Sequence, residues 1–145
     1  MKQMDSIQKY CTRAPRMLLI VVAAVMWTGC GGKKVSMVPA AAVPAATGTV
    51  DLGKDRNGNT QIDLKVQHLA KPENLTPPKS TYIVWIQARD GRPENQGQLH
   101  VNDNLEGEFK APTPLRTFDI FVTAEDGPSA TSPNGPEVFH KTVHR

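Results

Sequence analysis

The sequence predicts an all-β domain over residues 49–145, a sandwich of about seven short antiparallel strands, behind a leader (1–29) and a Pro/Ala-rich linker (30–48). Three observations predict it. Hydrophobicity alternates with a period of two, most clearly in Gln61-Ile-Asp-Leu-Lys-Val-Gln67, the signature of a strand buried on one face. Turn-forming residues recur roughly every 8–12 positions, the spacing of short strands in a sandwich. No segment beyond the leader repeats its apolar residues at helical spacing.

Each element follows from local chemistry. In Asp55-Arg-Asn-Gly-Asn59 the Asn-Gly pair is a strong hairpin signal, so Thr49–Lys54 and Asn59–Leu69 are expected to pair. Ile62, Leu64 and Val66 then face the core. The prolines from Pro72 to Pro78 exclude a strand and predict a loop. Thr81–Ala88 is apolar on both faces and is expected at the centre of a sheet, with Val84 and Trp85 in the core. Gln98–Val101 and Glu106–Ala111 flank Asn102-Asp-Asn104 and read as another hairpin. Phe118–Ala124 is again nearly continuous and central, burying Phe118, Ile120 and Val122. A Gly, Pro and Ser-rich loop (Asp126–Pro136) leads to a last strand, Val138–Val143. Packed face to face, these strands form an immunoglobulin-like sandwich, with Trp85 where such folds often bury a tryptophan.

The leader carries the other strong pattern. Lys2, Lys9, Arg13 and Arg16 precede a 13-residue apolar run from Met17 to Gly29, and Cys30 follows directly. That run has the length of a signal-peptide core and is too short to span a bilayer. Basic, apolar, small, then cysteine is the order of a lipoprotein signal peptide. Thr28-Gly29 gives a peptidase access, Cys30 is the expected site of lipidation, and Trp27 stands where leucine is usual. In residues 31–48, Pro39 and Pro44 interrupt the alanines and predict a disordered tether. Fully extended at ~3.1 Å per residue, it would reach up to ~55 Å.

Charge is redistributed by removal of the leader. The full chain has 17 basic and 14 acidic residues; the leader holds four basic and one acidic, leaving 13 of each. A neutral mature chain argues against a nucleic-acid partner. Its single cysteine, Cys30, permits no internal disulfide, so stability must come from the apolar core.

The second half also resembles a known family. Tyr82-Ile-Val-Trp85, Gly97-Gln-Leu99, Phe118-Asp-Ile-Phe-Val-Thr123-Ala-Glu125 and Pro133-Asn-Gly-Pro136 are similar to the extracytoplasmic C-terminal domain of the anti-sigma-K factors. The resemblance covers residues 80–144. It implies an envelope-facing β-sandwich and a structural role for Glu125. The family's sigma-binding module and membrane span have no counterpart here, so sigma-factor binding does not carry over.

Other candidate sites are weaker. Asp55, Asn57, Asn59 and Asp63 suggest a calcium loop, but the glycine and the acid such a loop requires are replaced by Thr60 and Val66. On a strand, His140 and His144 would stand ~13 Å apart, too far to share a metal ion. His68 and His100 have no partner at ligand spacing. Glu125 and Asp126 would point to opposite faces of a strand. No nucleophile elbow or phosphate loop is present. Tyr82, Phe121 and Phe139 are the speculative binding residues, a stacking patch if exposed together.

The expected function is therefore a lipid-anchored cell-envelope lipoprotein with a non-catalytic interaction or scaffolding domain. The alternatives are a carbohydrate-binding envelope module and an accessory part of an anti-sigma-like envelope-stress system. No enzyme activity, cofactor or metal is expected. The expected partners are membrane lipid through acylated Cys30 and an envelope protein or glycan. Gly31 after the cysteine, where aspartate would signal inner-membrane retention, favours the outer membrane.

Overall fold

The computed structural model describes residues 32–144; the leader, Cys30 and Arg145 lie outside the described residues. The chain forms nine strands and one 3₁₀ turn. In order these are β1 (Lys33–Ser36), β2 (Val38–Pro39), β3 (Thr47–Lys54), β4 (Thr60–Gln67), the turn Pro72–Asn74, β5 (Thr81–Ala88), β6 (Glu94–Leu99), β7 (Gly107–Thr113), β8 (Thr117–Glu125) and β9 (Glu137–His144). Two antiparallel sheets result, ordered β1-β3-β4-β7 and β2-β9-β8-β5-β6. The predicted sandwich class is what forms.

Period-two patterning places the core. Val50, Leu52, Ile62, Leu64 and Val66 point from the first sheet toward Tyr82, Val84, Ile86, Phe118, Ile120, Val122 and Phe139 of the second. Opposite them, the outer face of the first sheet is charged and carries the cross-strand pairs Lys65–Glu108 (3.3 Å) and Lys110–Asp63 (3.1 Å). Such exposed pairs each contribute well under about 1 kcal/mol; their larger role is to keep this face in water.

The β3–β4 hairpin is as expected. Asp55 closes its turn, its carboxylate accepting the Asn57 and Asn59 backbone N–H groups (both 2.8 Å) and the Asn59 side-chain amide (2.9 Å). Gly58 supplies the positive φ of 82° that the turn requires. The carboxylate that the calcium reading needs is thereby engaged within the turn.

Three expectations are corrected. First, residues 33–48 are not a disordered tether. β1 pairs with β3 in the first sheet, and β2 pairs with β9 in the second. The chain crosses between the sheets at Met37, and Met37 (5 % exposed), Val43 (5 %) and Ala46 (2 %) enter the core. The prolines misled the reading because Pro39 occupies a sheet edge, where no ladder N–H is required of it.

Second, Gln98–Val101 and Glu106–Ala111 do not form a hairpin. β6 pairs with β5 and β7 with β4, in opposite sheets, and between the two segments the described pairing is the isolated bridge Val101–Gly107 and the Asn102 N–H to Glu106 carbonyl bond (2.8 Å). The reversal is real: Asn102 Oδ1 accepts the Asn104 and Glu106 N–H groups (2.9 and 3.0 Å). The same turn chemistry serves a hairpin within one sheet or an arch between two, and here it builds an arch.

Third, Trp85 is a fully buried core residue as expected, but its cluster lies outside the space between the sheets. Alternation along β5 sends Tyr82, Val84 and Ile86 inward, while Ile83 and Trp85 join Phe121 in a separate cluster on the outer face. The other expected core residues, Ile62, Leu64, Val66, Val84, Phe118, Ile120 and Val122, do lie between the sheets.

Met37→Ala separates strand from tether. A core methionine truncated to alanine is expected to cost about 2–3 kcal/mol in urea unfolding, whereas a change in a loose linker would stay within about 0.5 kcal/mol.

Candidate functional site

The outer face of the second sheet is the chemically richest surface. β5 and β8 pair with Trp85 opposite Phe121, and β8 and β9 pair with Phe121 opposite His140. The rings form a row: Trp85 stacks on Phe121 (centroids 6.5 Å, 15°), and Phe121 meets His140 at 6.0 Å, tilted 32°. Over the Trp85 end lies the segment 126–136, whose Ala130 packs against the cluster.

A hydrogen-bond chain pins that segment. The Trp85 indole N–H donates to Thr123 Oγ1 (2.8 Å), and the Thr123 hydroxyl donates to Glu125 Oε1 (2.6 Å). Glu125 then accepts the backbone N–H groups of Asn134 (3.1 Å) and Gly135 (3.2 Å to Oε1, 3.1 Å to Oε2). Glu125 is 3 % exposed, so leaving its charge unmatched would be costly; these donors offset that cost. Gly135 is required by close approach, because a Cβ there would collide with the Ala124 carbonyl. From the other side, the Asn95 amide donates to the carbonyls of Pro128 (3.1 Å) and Ala130 (2.8 Å). Trp85, Thr123, Glu125 and the Pro133–Pro136 turn thus converge in one network. Their arrangement accounts for them as structural.

At the open end of the row, His140 sits between two carboxylates. Its Nε2 is 3.6 Å from Asp119 Oδ1, and its Nδ1 is 3.4 Å from Glu137 Oε2. Sequence reasoning compared His140 only with His144; the β8–β9 register supplies Asp119, and Glu137 stands three residues earlier on the same strand. The two acids approach opposite ring nitrogens, so the three side chains do not converge on one ion, and among the described residues no group of three or more His, Cys, Asp or Glu could hold a metal. Nor is this a hydrolytic triad. The nearby Thr142 hydroxyl donates to Asp119 instead of His140, and among the described residues no Ser, Thr or Cys is hydrogen-bonded to the imidazole. Ser129 and Ser132 are exposed on the covering segment.

The remaining candidates separate. Tyr82 and Phe139 are fully buried in the inter-sheet core, and Phe121 is 7 % exposed beneath its neighbours. The stacking patch does not form, because the period-two register turns Tyr82 and Phe139 inward and the covering residues shield Phe121. Among the described residues the exposed face offers no aromatic platform, and the carbohydrate-binding reading loses the feature it depended on. His68 is exposed. His100 lines a depression of about 410 Å³, with Lys65, Asn102, Glu106 and Glu108 also on its wall. Asp126 pairs with Lys79 (2.9 Å) away from Glu125.

No protein-family model, curated protein or solved structure matches the chain.

Two measurements test this geometry. Glu125→Ala leaves the Thr123 hydroxyl and two backbone N–H groups without their acceptor. It is expected to cost about 2–3 kcal/mol in urea unfolding and to accelerate amide exchange at Asn134 and Gly135 before β3 and β4 are affected. Tyr82 is desolvated, lies near Glu73, and donates to the Ala70 carbonyl (2.7 Å); its phenol is pushed up to about 12. The unfolded phenol ionises near 10, so the stability tied to its protonated form is complete below pH 10 and is lost as pH rises toward 12. Absorbance at the phenolate band should show this late titration in the native protein and lose it in Tyr82→Phe.

Proposed function

We propose that this chain is a cell-envelope lipoprotein, acylated on Cys30 after removal of its leader, whose β-sandwich is a non-catalytic interaction or scaffolding module. One observation carries the reading: a basic segment, a 13-residue apolar run and the small pair Thr28-Gly29 end at a cysteine. A cysteine at that boundary has a chemical purpose if its thiol takes the lipid. The acyl chains that modify such a cysteine number more than one, as stable anchoring requires. Gly31 favours the outer membrane as the destination.

The character of the domain supports a binding role in preference to chemistry. Among the described residues its buried carboxylate is engaged by donors, the His140–carboxylate cluster has its nearby hydroxyl turned to Asp119, and Tyr82, Trp85, Phe118, Phe121 and Phe139 are buried. What remains for a partner is a polar, charged surface on a rigid frame. The partner class is an envelope protein.

Growth with radiolabelled palmitate tests the anchor. Label is expected on the wild-type protein and none on Cys30→Ala. Globomycin should accumulate a lipidated precursor still carrying its leader. An intact, unacylated N-terminus by mass spectrometry would overturn the proposal.

A further inference from the structure

The charges of this domain are sorted along the strand axis, although the mature chain is neutral. Lys33 and Lys34 open β1 at the end where the chain enters the fold. At the same end, Lys54 closes β3 and Arg56 stands in the following turn, since Lys33 pairs with Leu52 and Lys54 with Thr60. Thr60 pairs with Thr113 and its hydroxyl donates to the Leu115 carbonyl (2.8 Å), which brings Arg116 to this end. In the second sheet, Ala88 pairs with Phe118 and Thr117 with His144, placing Arg89 and Arg92 of the β5–β6 turn there too. The Lys33 ammonium donates to the His144 carbonyl (3.3 Å) and joins the two sheets at this end.

All seven cations are exposed, and among the described residues none of them pairs with a carboxylate. They outnumber four acids, Asp51, Asp55, Asp90 and Glu94, and the Asp55 carboxylate is occupied inside the hairpin. The opposite end is the reverse. Seven acids, among them Glu73, Asp103, Glu106 and Asp126, face three cations there, Lys65, Lys71 and Lys79, each already bound to an acid.

We propose that the basic end is a docking face for an anionic lipid bilayer. The choice of occupant comes from where the chain goes. Gly31 alone separates Cys30 from the described domain, and successive Cα atoms are 3.80 Å apart, so Cys30 stays within about 8 Å of Gly32. For orientation this rests on the anchor reading: an acylated Cys30 holds this end, and no other, at the headgroups. Seven unpaired cations then lie within a Debye length of the surface. Each Lys or Arg so placed improves docking about 5-fold. The acidic end is held away from the bilayer by the same field. The domain therefore stands upright on the membrane, with the Lys71–Asp103 and Lys79–Asp126 end toward its partners.

The test uses the full chain purified from cells, with a fluorescent amino acid in place of Asn57 at the basic end or of Asp103 at the acidic end. It is mixed with vesicles containing a brominated quenching lipid, either with phosphatidylglycerol or in pure phosphatidylcholine. The expected result is stronger quenching of the Asn57 probe on phosphatidylglycerol than on phosphatidylcholine vesicles, the difference abolished at about 1 M salt, with the Asp103 probe unquenched on both. Replacing Arg56, Arg89 and Arg116 together by Gln should lower the docked-to-undocked ratio about 100-fold while leaving the unfolding curve unchanged. Equal quenching on the two vesicle types, quenching of the Asp103 probe, indifference to salt, or binding of this end to an acidic protein without lipid preference would overturn the proposal. Palmitate labelling reports the anchor separately. If the N-terminus proves unacylated, the anchor reading fails, while the two vesicle types still decide whether the basic end prefers an anionic bilayer.

Discussion

A strand that is apolar on both faces must be covered twice, and that constraint organises the second sheet. In β5, Tyr82, Val84 and Ile86 are covered by the facing sheet, but Ile83 and Trp85 project the other way. A bare indole on the outer face would be a sticky surface. The molecule resolves this with the segment 126–136, which has no regular structure and little apolar content of its own. It is held in place by polar contacts: the Glu125 carboxylate accepts the Asn134 and Gly135 N–H groups, and the Asn95 amide donates to the Pro128 and Ala130 carbonyls. A buried charge thus serves to position a lid of backbone. The network is of the high-stakes kind, stabilising only because its donors and acceptors are matched.

The N-terminal segment solves a related problem at the side of the sandwich. By giving β1 to one sheet and β2 to the other, the chain closes the seam between them with a single crossing at Met37. A spacer of that length would have let the domain swing tens of ångströms from an attachment point. Folded into the sandwich, it leaves the domain no such freedom relative to Gly32.

Much of this was legible in the residues. Alternation in β4, the Asn-Gly turn and the doubly apolar β5 and β8 were enough for the sandwich class, because period and turn chemistry are local properties. Three things were not local. Whether Trp85 faces the partner sheet or the outside depends on the register that sets which side of β5 is inside. Whether Asn102–Glu106 joins neighbours or opposite sheets depends on which strands are left to pair. Whether Val38-Pro39 is an edge strand depends on β9, a hundred residues away. The Glu125 network was half legible: its residues stood out as a pattern, but nothing in their spacing showed that they meet. The His140 cluster was missed because Asp119 reaches it only through the β8–β9 ladder, while Glu137, three residues earlier on the same strand, would point away from it in a regular strand. The polarity of charge is invisible to a residue count, and it emerges only when strand directions are known.

The margins of the two sheets have a consequence for copies of the chain that meet at high density. Each of the four is blunted: β1 is short and begins with two lysines, β2 has two residues and one is Pro39, β6 is broken by an irregular register and by Gly97 at φ 129°, and β7 carries Lys110 and Pro112. Unpaired edges are where β-proteins fuse into shared sheets. Here the interruptions deny colliding copies a ladder to extend.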